Sequence, residues 1–372
     1  MARRICYVHT GPHKTGTSSI QSFLKQNRAA LLRHGYFVPE SGNAHGGHHP
    51  LARKLCGQTL PDHRETAALN FARQLANNPC EAVIISSEAL DGLLRHPDYA
   101  STFFKRIAEF DLKAKLVCFP RHQPQWANSR YAEAVRSFCL WEPFETFARS
   151  ASERPSLRYS PFVQIADTYK AELIARPFTA ETIAAGVVPE FLKTIGLDAA
   201  EFSDTNVRRN ETVGPFTIAV ARGVLRAIDE TGRQLKWRQA TRCKAELAAY
   251  LQKKARADSG YCGLRTELAR QIETSCRPDN DAFAQRVWRR SWNEVFAGDV
   301  GLNFSPNDFE LSEPDAATQK LLAETIHELT PIVEEILRDP ILAVEAPWND
   351  LRQRGGWNLE PIQHRAEPAG AA

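Results

Sequence analysis

The segment ICYVHTGPHKTGTSS, residues 5–19, contains two different sequence patterns with a loop between them. Residues 5–10 are largely apolar and rich in β-branched and aromatic side chains, which is typical of a buried strand. The pattern breaks at Gly11-Pro12, and over residues 17–32 apolar side chains recur at helical spacing. We therefore predict a strand, a glycine-containing loop and a helix in direct succession.

The loop between this strand and this helix has the composition of an anion-binding site. Gly11 and Gly16 allow the backbone to turn close to a phosphate, and the first N–H groups of the helix point toward the loop. Lys14 adds a mobile cation, and neighbouring hydroxyl groups add donors. The order of lysine and glycine differs from that in the nucleotide-triphosphatase loop GxxxxGK[ST], because Lys14 precedes Gly16. A well-capped helix after a glycine turn is the structural alternative.

Further apolar runs continue the alternation of strands and helices. Residues 82–87, 114–119 and 171–175 are predicted strands, and a long amphipathic helix is predicted over 124–147. This alternation predicts an α/β fold, namely a parallel sheet of the P-loop type flanked by helices. The other helices predicted around these strands are 51–55, 66–76, 98–110 and 188–195.

The second half of the chain has a different pattern, because almost every periodic segment predicts helix. We interpret residues 1–205 as the α/β core, 206–345 as a helical cap or extension packed on the same domain, and 346–372 as a loop-like tail. The tail lacks the apolar side chains that offset the entropy of ordering. The helical segments of the second half are 216–228, 240–255, 264–272, 281–296 and 316–337.

Composition excludes several classes of protein. Of the 372 residues, 43% are hydrophobic and 24% charged, close to the average of soluble globular proteins. The net charge of +3 is too small to favour a nucleic-acid partner. No run reaches the roughly 18 apolar residues of a spanning helix, and the first residues do not form a signal peptide. The eight cysteines are scattered without a CxxC pair, so we expect reduced thiols in a cytoplasmic protein.

Two motifs resemble those of the sulfotransferases that use 3′-phosphoadenosine 5′-phosphosulfate (PAPS). Residues 14–18, Lys-Thr-Gly-Thr-Ser, match their 5′-phosphosulfate loop, and residues 11–17 are especially similar to the loop of the heparan-sulfate N-sulfotransferases. In the family, an Arg at a strand end and a Ser eight positions later hold the 3′-phosphate, and Arg121 and Ser129 keep that spacing. A nucleoside with phosphate at both ends needs two such anion sites, and the ends of parallel strands supply them.

The resemblance implies PAPS as the sulfuryl donor and adenosine 3′,5′-bisphosphate (PAP) as the product that remains. It also implies a donor site whose residues come from both motifs. Those residues are Gly11, His13, Lys14, Thr15, Gly16, Thr17, Ser18, Ser19, Arg121 and Ser129.

Glu88 follows the strand 82–87 and is expected at the same edge of the sheet as Lys14. A carboxylate there can accept the proton that the acceptor loses, and the resemblance implies this role, because the N-sulfotransferases have a Glu after the corresponding strand. A first-turn carboxylate favoured by the helix dipole is the alternative. His49, in the histidine-rich loop 45–49 with His48, ranks second as base. An exposed polar loop is the alternative for these histidines.

Lys14 is expected to have a catalytic role besides binding, because an ammonium group stabilises the charge that develops on the leaving phosphate. We therefore expect no metal. The basic run 208–210 is expected to close over the donor or to contact an anionic acceptor, and a solvated turn is the alternative.

These observations predict an enzyme that moves a sulfuryl group from PAPS to a hydroxyl or amine of a small molecule or glycan. The resemblance implies a carbohydrate acceptor, while lipid, peptide and phenolic acceptors remain open. Two other functions also remain open: an ATP- and Mg²⁺-dependent small-molecule kinase, and a nucleotide-binding interaction module without turnover. The kinase is less favoured, because no predicted strand ends in the Asp that would hold Mg²⁺.

Overall fold

The computed structural model describes residues 3–43, 46–60, 64–153, 155–205, 213–253, 258 and 260–343. Its centre is a five-stranded sheet with the order β2-β3-β1-β4-β5. All neighbouring strands are parallel, which confirms the predicted α/β fold class. The strands are β1 (Arg4–Gly11), β2 (Tyr36–Phe37), β3 (Ala82–Ser86), β4 (Leu112–Cys118) and β5 (Glu172–Ala175).

β1 is the central strand of the sheet. His9 of β1 lies opposite Ser86 of β3 on one side and Val117 of β4 on the other. The chain forms β2 and β3 on one side of β1 and then crosses to form β4 and β5 on the other side. Open parallel sheets bind ligands at the carboxyl ends of the strands beside such a reversal of order. The loops after β1, β3 and β4 meet at that place.

Eleven helices precede residue 213 in the described part of the chain, and they cover both faces of the sheet or extend from its edge. They are α1 (Thr17–Gln26), α2 (Arg28–Arg33), α3 (His49–Leu55), α4 (Ala67–Asn77), α5 (Ala89–Leu94), α6 (Pro97–Glu109), α7 (Gln123–Arg136), α8 (Phe144–Ser152), α9 (Ser160–Thr168), α10 (Ala180–Ala185) and α11 (Val187–Thr194).

Side chains of the buried strands alternate between two cores. Val83 and Ile85 of β3 belong to one core, which they share with α3, α4, α5, α6 and α9. Ile84 points to the opposite face and packs with residues of α1 and α11. The period of two that is characteristic of strands therefore places one helical layer on each face of the sheet.

The second half of the described chain is helical. The largest core cluster joins α12, α13, α14 and α16 to α7 and α8. The helical half therefore packs against the helix that directly follows β4. The helices of this half are α12 (Pro215–Asp229), α13 (Trp237–Lys253), α14 (Thr266–Trp288), α15 (Trp292–Val295) and α16 (Ala316–Arg338).

Several predicted boundaries are wrong. The helix predicted over 17–32 is interrupted at Asn27, whose side-chain amide donates to the carbonyl oxygens of Phe23 (3.2 Å) and Ser203 (3.3 Å). The helix predicted over 124–147 ends at Arg136, and Phe138 after it has a left-handed φ of 54°. β2 is not predicted, because two residues are too few to show alternation.

The prediction of two separate helices over 264–272 and 281–296 is wrong. Most of their residues form the single helix α14, which continues through Pro278 and ends at Trp288. Arg289 then adopts a left-handed conformation with φ 54°, which separates α14 from the short helix α15. The proposed division at residue 205 stays a prediction, and the tail 346–372 lies outside the described residues.

Two general properties concern the whole described chain. Each of the eight cysteines, all of which fall in described ranges, is a free thiol. In the described ranges, every helix is too short or too polar to cross a bilayer.

A buried charged network holds the helical half together. Arg222 of α12 is only 4% exposed, and its Nη1 lies 3.4 Å from Oδ1 of Asp308, which is 6% exposed. Arg222 also pairs with Glu310 and donates to the carbonyl of Trp141 (Nε–O 3.1 Å). The hydroxyl of Tyr261 donates to Asp308 (2.6 Å). Removal of one partner of such a buried pair leaves the other charge without compensation.

We predict that Arg222→Ala lowers the free energy of unfolding by about 3–5 kcal/mol, because Asp308 loses its buried cation. Arg226→Ala is the matched control: Arg226 lies one turn further along α12, is 47% exposed and contacts the same Glu310. Its loss should cost less than about 1 kcal/mol. Urea denaturation of both variants measures the difference, and equal costs would contradict the assigned role of the buried pair.

Candidate anion-binding site

The loop after β1 has the backbone of an anion-binding turn. Gly11 and Gly16 have φ angles of 96° and 77°, and Lys14, although not glycine, has φ 66°. The hydroxyl of Thr15 donates to the carbonyl of Pro12 (2.7 Å), so this side chain stabilises the turn itself. Gly16 immediately precedes α1, whose first N–H groups have no acceptors within the helix. The loop therefore presents backbone donors at the positive end of a helix dipole.

Gly16 also has no room for a side chain. A Cβ atom at this position would lie 2.6 Å from Cγ1 of Val187, the first residue of α11. Close packing between the loop and α11 therefore requires glycine here, in addition to the positive φ angle.

The segment after β4 is bound directly to this loop. The Nη1 group of Arg121 donates to the carbonyl of Lys14 (2.7 Å), and the indole N–H of Trp126 donates to the carbonyl of His13 (2.9 Å). The backbone of Arg121 is held by the Tyr159 hydroxyl, which accepts from its N–H (3.0 Å) and donates to its carbonyl (2.8 Å). The two motifs, about a hundred residues apart in sequence, therefore form one structural unit.

A cavity of about 730 Å³ opens between these two motifs. Its volume lies in the range of pockets that bind small molecules. α7 forms one wall, because its residues 125, 128, 129, 132, 133 and 136 follow each other at helical spacing and all line the cavity. Of the predicted donor-binding residues, those that line it are Lys14, Gly16, Ser19, Arg121 and Ser129.

Arg121 has the properties of an anion ligand. Its Nε atom is buried, forms no hydrogen bond with any described residue, and belongs to a side chain on the cavity wall. Burial lowers the pKa of Arg121 to about 10, although Tyr159 and Asp299 oppose this shift. A guanidinium group that has lost hydration and has an unused N–H gains most from a phosphate or carboxylate. These residues fit a phosphate group.

The other predicted donor residues have different surroundings. Gly11 packs against Glu88, and the Thr17 hydroxyl is hydrogen-bonded to Glu88. Ser18 is exposed. Among the described residues, the side chains of His13, Thr15, Thr17 and Ser18 do not line the cavity, so any contact of the loop with a ligand there involves its backbone, Lys14 and Ser19.

Glu88 follows β3, on the opposite side of β1 from β4, and does not line the cavity. Its Oε1 lies 3.6 Å from Nδ1 of His13, and its Oε2 accepts from the Gln21 amide (3.4 Å). Burial by itself raises the pKa of Glu88, but His13, His49, the Thr17 hydroxyl and Arg130 together outweigh it and lower the pKa. Glu88 is therefore ionised at neutral pH and able to accept a proton.

The histidines near Glu88 have separate roles. His48 is buried, with Nδ1 accepting from the N–H of Ser86 (3.0 Å) and Nε2 donating to the carbonyl of Pro39 (2.9 Å), so both ring nitrogens serve the structure. Nδ1 of His49 lies 2.9 Å from the Ser87 hydroxyl. The structure thus brings His49 near Glu88 and removes His48 from the candidates. His45 and the basic run 208–210 lie outside the described residues.

Sequence patterns do not predict a group of charged residues on the cavity wall and behind it. Glu133 of α7 lies 3.6 Å from Nζ of Lys14 and 2.8 Å from Nζ of Lys244, and it also pairs with Arg136. These three cations outweigh burial and hold the pKa of Glu133 well below its usual range. The only sequence signal is that 129, 133 and 136 share one helical face. Lys244, on α13, carries no signal at all.

Comparison with known proteins yields few matches. No family model matches the chain. A protein of Archaeoglobus fulgidus described as uncharacterized is 26% identical over 117 residues, which are 30% of this chain and 30% of that protein. The crystal structure of a sulfotransferase from Alicyclobacillus acidocaldarius aligns with 63% of this chain and 98% of its own, at 17% identity and a TM-score of 0.36. Similarity of this degree does not establish a common family or activity.

In the described ranges, no three His, Cys, Asp or Glu side chains are grouped as metal ligands would be. The prediction that no metal takes part stays a prediction.

We predict that Gly16→Ala destabilises the protein more than Gly232→Ala does. Gly232 has a similar φ of 70° but nothing within 4 Å of the position that a methyl group would take, so its substitution costs about 1–2 kcal/mol for the left-handed backbone alone. Contact with Val187 should add about 1–3 kcal/mol to Gly16→Ala. Urea denaturation measures both, and Gly16→Ala should cost less in a Val187→Ala background than in the wild type, because two of the three contacting carbon atoms are then absent. Equal effects of the two glycine variants would refute the close contact.

Proposed function

We propose that this protein is a sulfotransferase that uses PAPS as donor. The observation that supports this most is the common cavity of Lys14 and Arg121, the key cations of the two motifs. In this proposal the 5′-phosphosulfate binds at Lys14, Gly16 and Ser19, and the 3′-phosphate binds at Arg121 and Ser129. The unused Nε of Arg121 supplies a donor for that phosphate.

In this proposal Lys14 and Glu88 have separate roles in sulfuryl transfer. The acceptor oxygen or nitrogen forms a bond to sulfur while the bond from sulfur to the bridging oxygen breaks, and its electron pair stays on that oxygen. Lys14 stabilises the charge that develops there. Glu88, ionised at neutral pH, takes the proton that the acceptor loses. His49, which lies in the same group, is the second candidate for this role.

The acceptor in this proposal is a hydroxyl or amine, and a carbohydrate is favoured by the similarity of the loop to that of the N-sulfotransferases. The acceptor would approach from the side of Glu88 and His13, because these residues do not line the cavity that the donor would occupy. A small molecule and a glycan are both compatible with this approach.

We predict that the protein binds PAP more tightly than adenosine 5′-monophosphate by about 10- to 100-fold, because the 3′-phosphate forms charge-assisted hydrogen bonds with Arg121. Arg121→Ala should remove most of this preference, so the ratio of the two dissociation constants is the measure, because loss of the hydrogen bond to the Lys14 carbonyl also weakens the binding of both nucleotides. Isothermal titration calorimetry measures both nucleotides. Ser129→Ala should give a smaller loss in the same direction, and Arg149→Ala, on the exposed face of α8, should give none.

The same titrations separate the proposal from its alternatives. Binding of ATP with Mg²⁺ without binding of PAP would identify a kinase and contradict the proposal. Tight binding of PAP without sulfated product from any acceptor, in a screen with labelled PAPS, would identify a nucleotide-binding module. Equal losses of both adenosine nucleotides in Arg121→Ala would show that Arg121 binds something other than the 3′-phosphate.

We predict that Glu88→Gln lowers kcat by about 10²- to 10⁴-fold and leaves the dissociation constant of PAP unchanged, because the amide cannot accept the proton. Since the pKa of Glu88 is lowered, the wild-type rate should persist below the pH at which an ordinary carboxyl group becomes protonated. Sulfuryl transfer measured against pH tests this. If His49→Ala abolishes turnover and Glu88→Gln does not, the base is His49.

A further inference from the structure

Glu133 occupies an unusual position for a carboxylate, on the wall of a cavity otherwise suited to anions. It lies one turn of α7 beyond Ser129 and is the shared counter-ion of Lys14, Arg136 and Lys244. The hydroxyl of Ser137 also donates to Glu133 (Oγ–Oε1 3.0 Å), and Lys244 donates to Ser137 (3.2 Å). Glu133 is thus fixed from three directions, and it connects the loop after β1 to α13 of the helical half.

The net charge of Glu133 and its three cationic partners is equal and opposite to that of the proposed phosphosulfate. Three cations and one carboxylate leave a net charge of +2 on Lys14, Glu133, Arg136 and Lys244. A phosphosulfate carries one negative charge on the phosphate and one on the sulfate. Without Glu133 the net charge of these residues would be +3, and without Lys244 it would be +1.

The contact between Lys14 and Glu133 differs from the other two. The distance from Nζ to Oε2 is 3.6 Å, which is longer than a hydrogen bond. Lys244 lies within hydrogen-bond distance of Glu133, at 2.8 Å, and Arg136 is in direct contact. Glu133 therefore attracts the ammonium group of Lys14 without a hydrogen bond to it, while Arg136 and Lys244 keep Glu133 in place.

We infer that Glu133 is a positioning residue for sulfuryl transfer, which directs the ammonium group of Lys14 toward the bridging oxygen of the donor and recruits Lys244 of the helical half to the donor site. This inference rests on the proposed function. In the complex Lys14 would lie between Glu133 and the phosphosulfate, donating to the phosphosulfate while the charge of Glu133 fixes the direction of the ammonium group. The helical half would then contribute to the donor site as well as to the choice of acceptor.

The protonation of Lys14 provides an independent measurement. Burial lowers the pKa of Lys14, Glu133 opposes this shift, and Arg136, Arg130 and Arg121, which face the same ammonium group, lower the pKa further. Removal of the carboxylate should lower the pKa again. Binding of PAP and turnover both need a protonated Lys14, so both are lost above a certain pH, the alkaline limit. This limit should lie at a lower pH in Glu133→Gln than in the wild type.

The experiment uses the full chain and measures the PAP dissociation constant and kcat with PAPS, each against pH. Glu133→Gln should bind PAP roughly tenfold more tightly at neutral pH, because a like charge is lost. Its kcat should fall by about 10- to 100-fold, because Lys14 is no longer aligned. Glu145→Gln, which removes a carboxylate paired with Arg149 on the exposed face of α8, is the matched control and should change neither quantity.

The double variant Glu133→Gln with Lys244→Met separates alignment from charge. It restores the net charge of +2, so the affinity for PAP should return to near the wild-type value while kcat stays low. Recovery of kcat in the double variant would show that Glu133 only balances charge, and would overturn the inference. Wild-type kcat and an unchanged alkaline limit in Glu133→Gln would also overturn it.

Two further variants guard against other failures. If Glu133→Gln does not fold, Lys244→Met alone still tests the inference. This variant should weaken the binding of PAP several-fold. It should also move the alkaline limit to higher pH, because Glu133 then interacts more strongly with Lys14. Glu133→Asp keeps the charge and should keep the alkaline limit. A wild-type protein that binds neither PAP nor PAPS would refute the proposed function itself. An active wild type together with an unaffected Glu133→Gln variant would instead refute only the role of Glu133.

Discussion

The hydrogen bond from Arg121 to the carbonyl of Lys14 joins the two loops on which the candidate site depends. It fixes the backbone of Lys14, which has a left-handed φ of 66° and whose side chain lines the cavity. The indole of Trp126 holds the preceding carbonyl in the same manner. The separation between the two anion-binding groups is therefore set by the sheet, since the loops follow the neighbouring strands β1 and β4. In the proposed function, a ligand with an anion at each end would contact Lys14 and Arg121 at the same time.

α7 connects this site to the helical half. One face of α7 lines the cavity with Ser129, Glu133 and Arg136, while other residues of the helix pack in the core that it shares with α12, α13, α14 and α16. Tyr261 takes part in both, because its ring lines the cavity and its hydroxyl is bound to the buried pair of Asp308 and Arg222. Tyr261 therefore connects the buried charged network of the helical half to the wall of the cavity.

Much of the fold follows from local patterns in the sequence, and less of the site does. The strands β1, β3, β4 and β5 are predictable because each is an apolar run bounded by loops, and the meeting of Lys14 with Arg121 follows from the parallel order of β1 and β4. The break at Asn27 is not predictable, because it depends on a hydrogen bond to Ser203, which is 176 residues away in sequence. Likewise, Lys244 reaches Glu133 across 111 residues and between two helices, and neither residue has a local motif. The sequence around His48 is compatible with an exposed polar loop, but hydrogen bonds to two backbone groups hold this side chain in the interior.

A crystal structure of the protein with PAP measures the central claim most directly. The account predicts one nucleotide in the cavity, with its 5′-phosphate at the N–H groups of residues 14–19 and the ammonium of Lys14, and its 3′-phosphate within hydrogen-bond distance of Arg121 and Ser129. Lys14 should then lie between Glu133 and the 5′-phosphate, and Glu133 should keep its contacts with Lys244 and Arg136. A nucleotide bound elsewhere, or one held at only one of its two phosphates, would contradict the account.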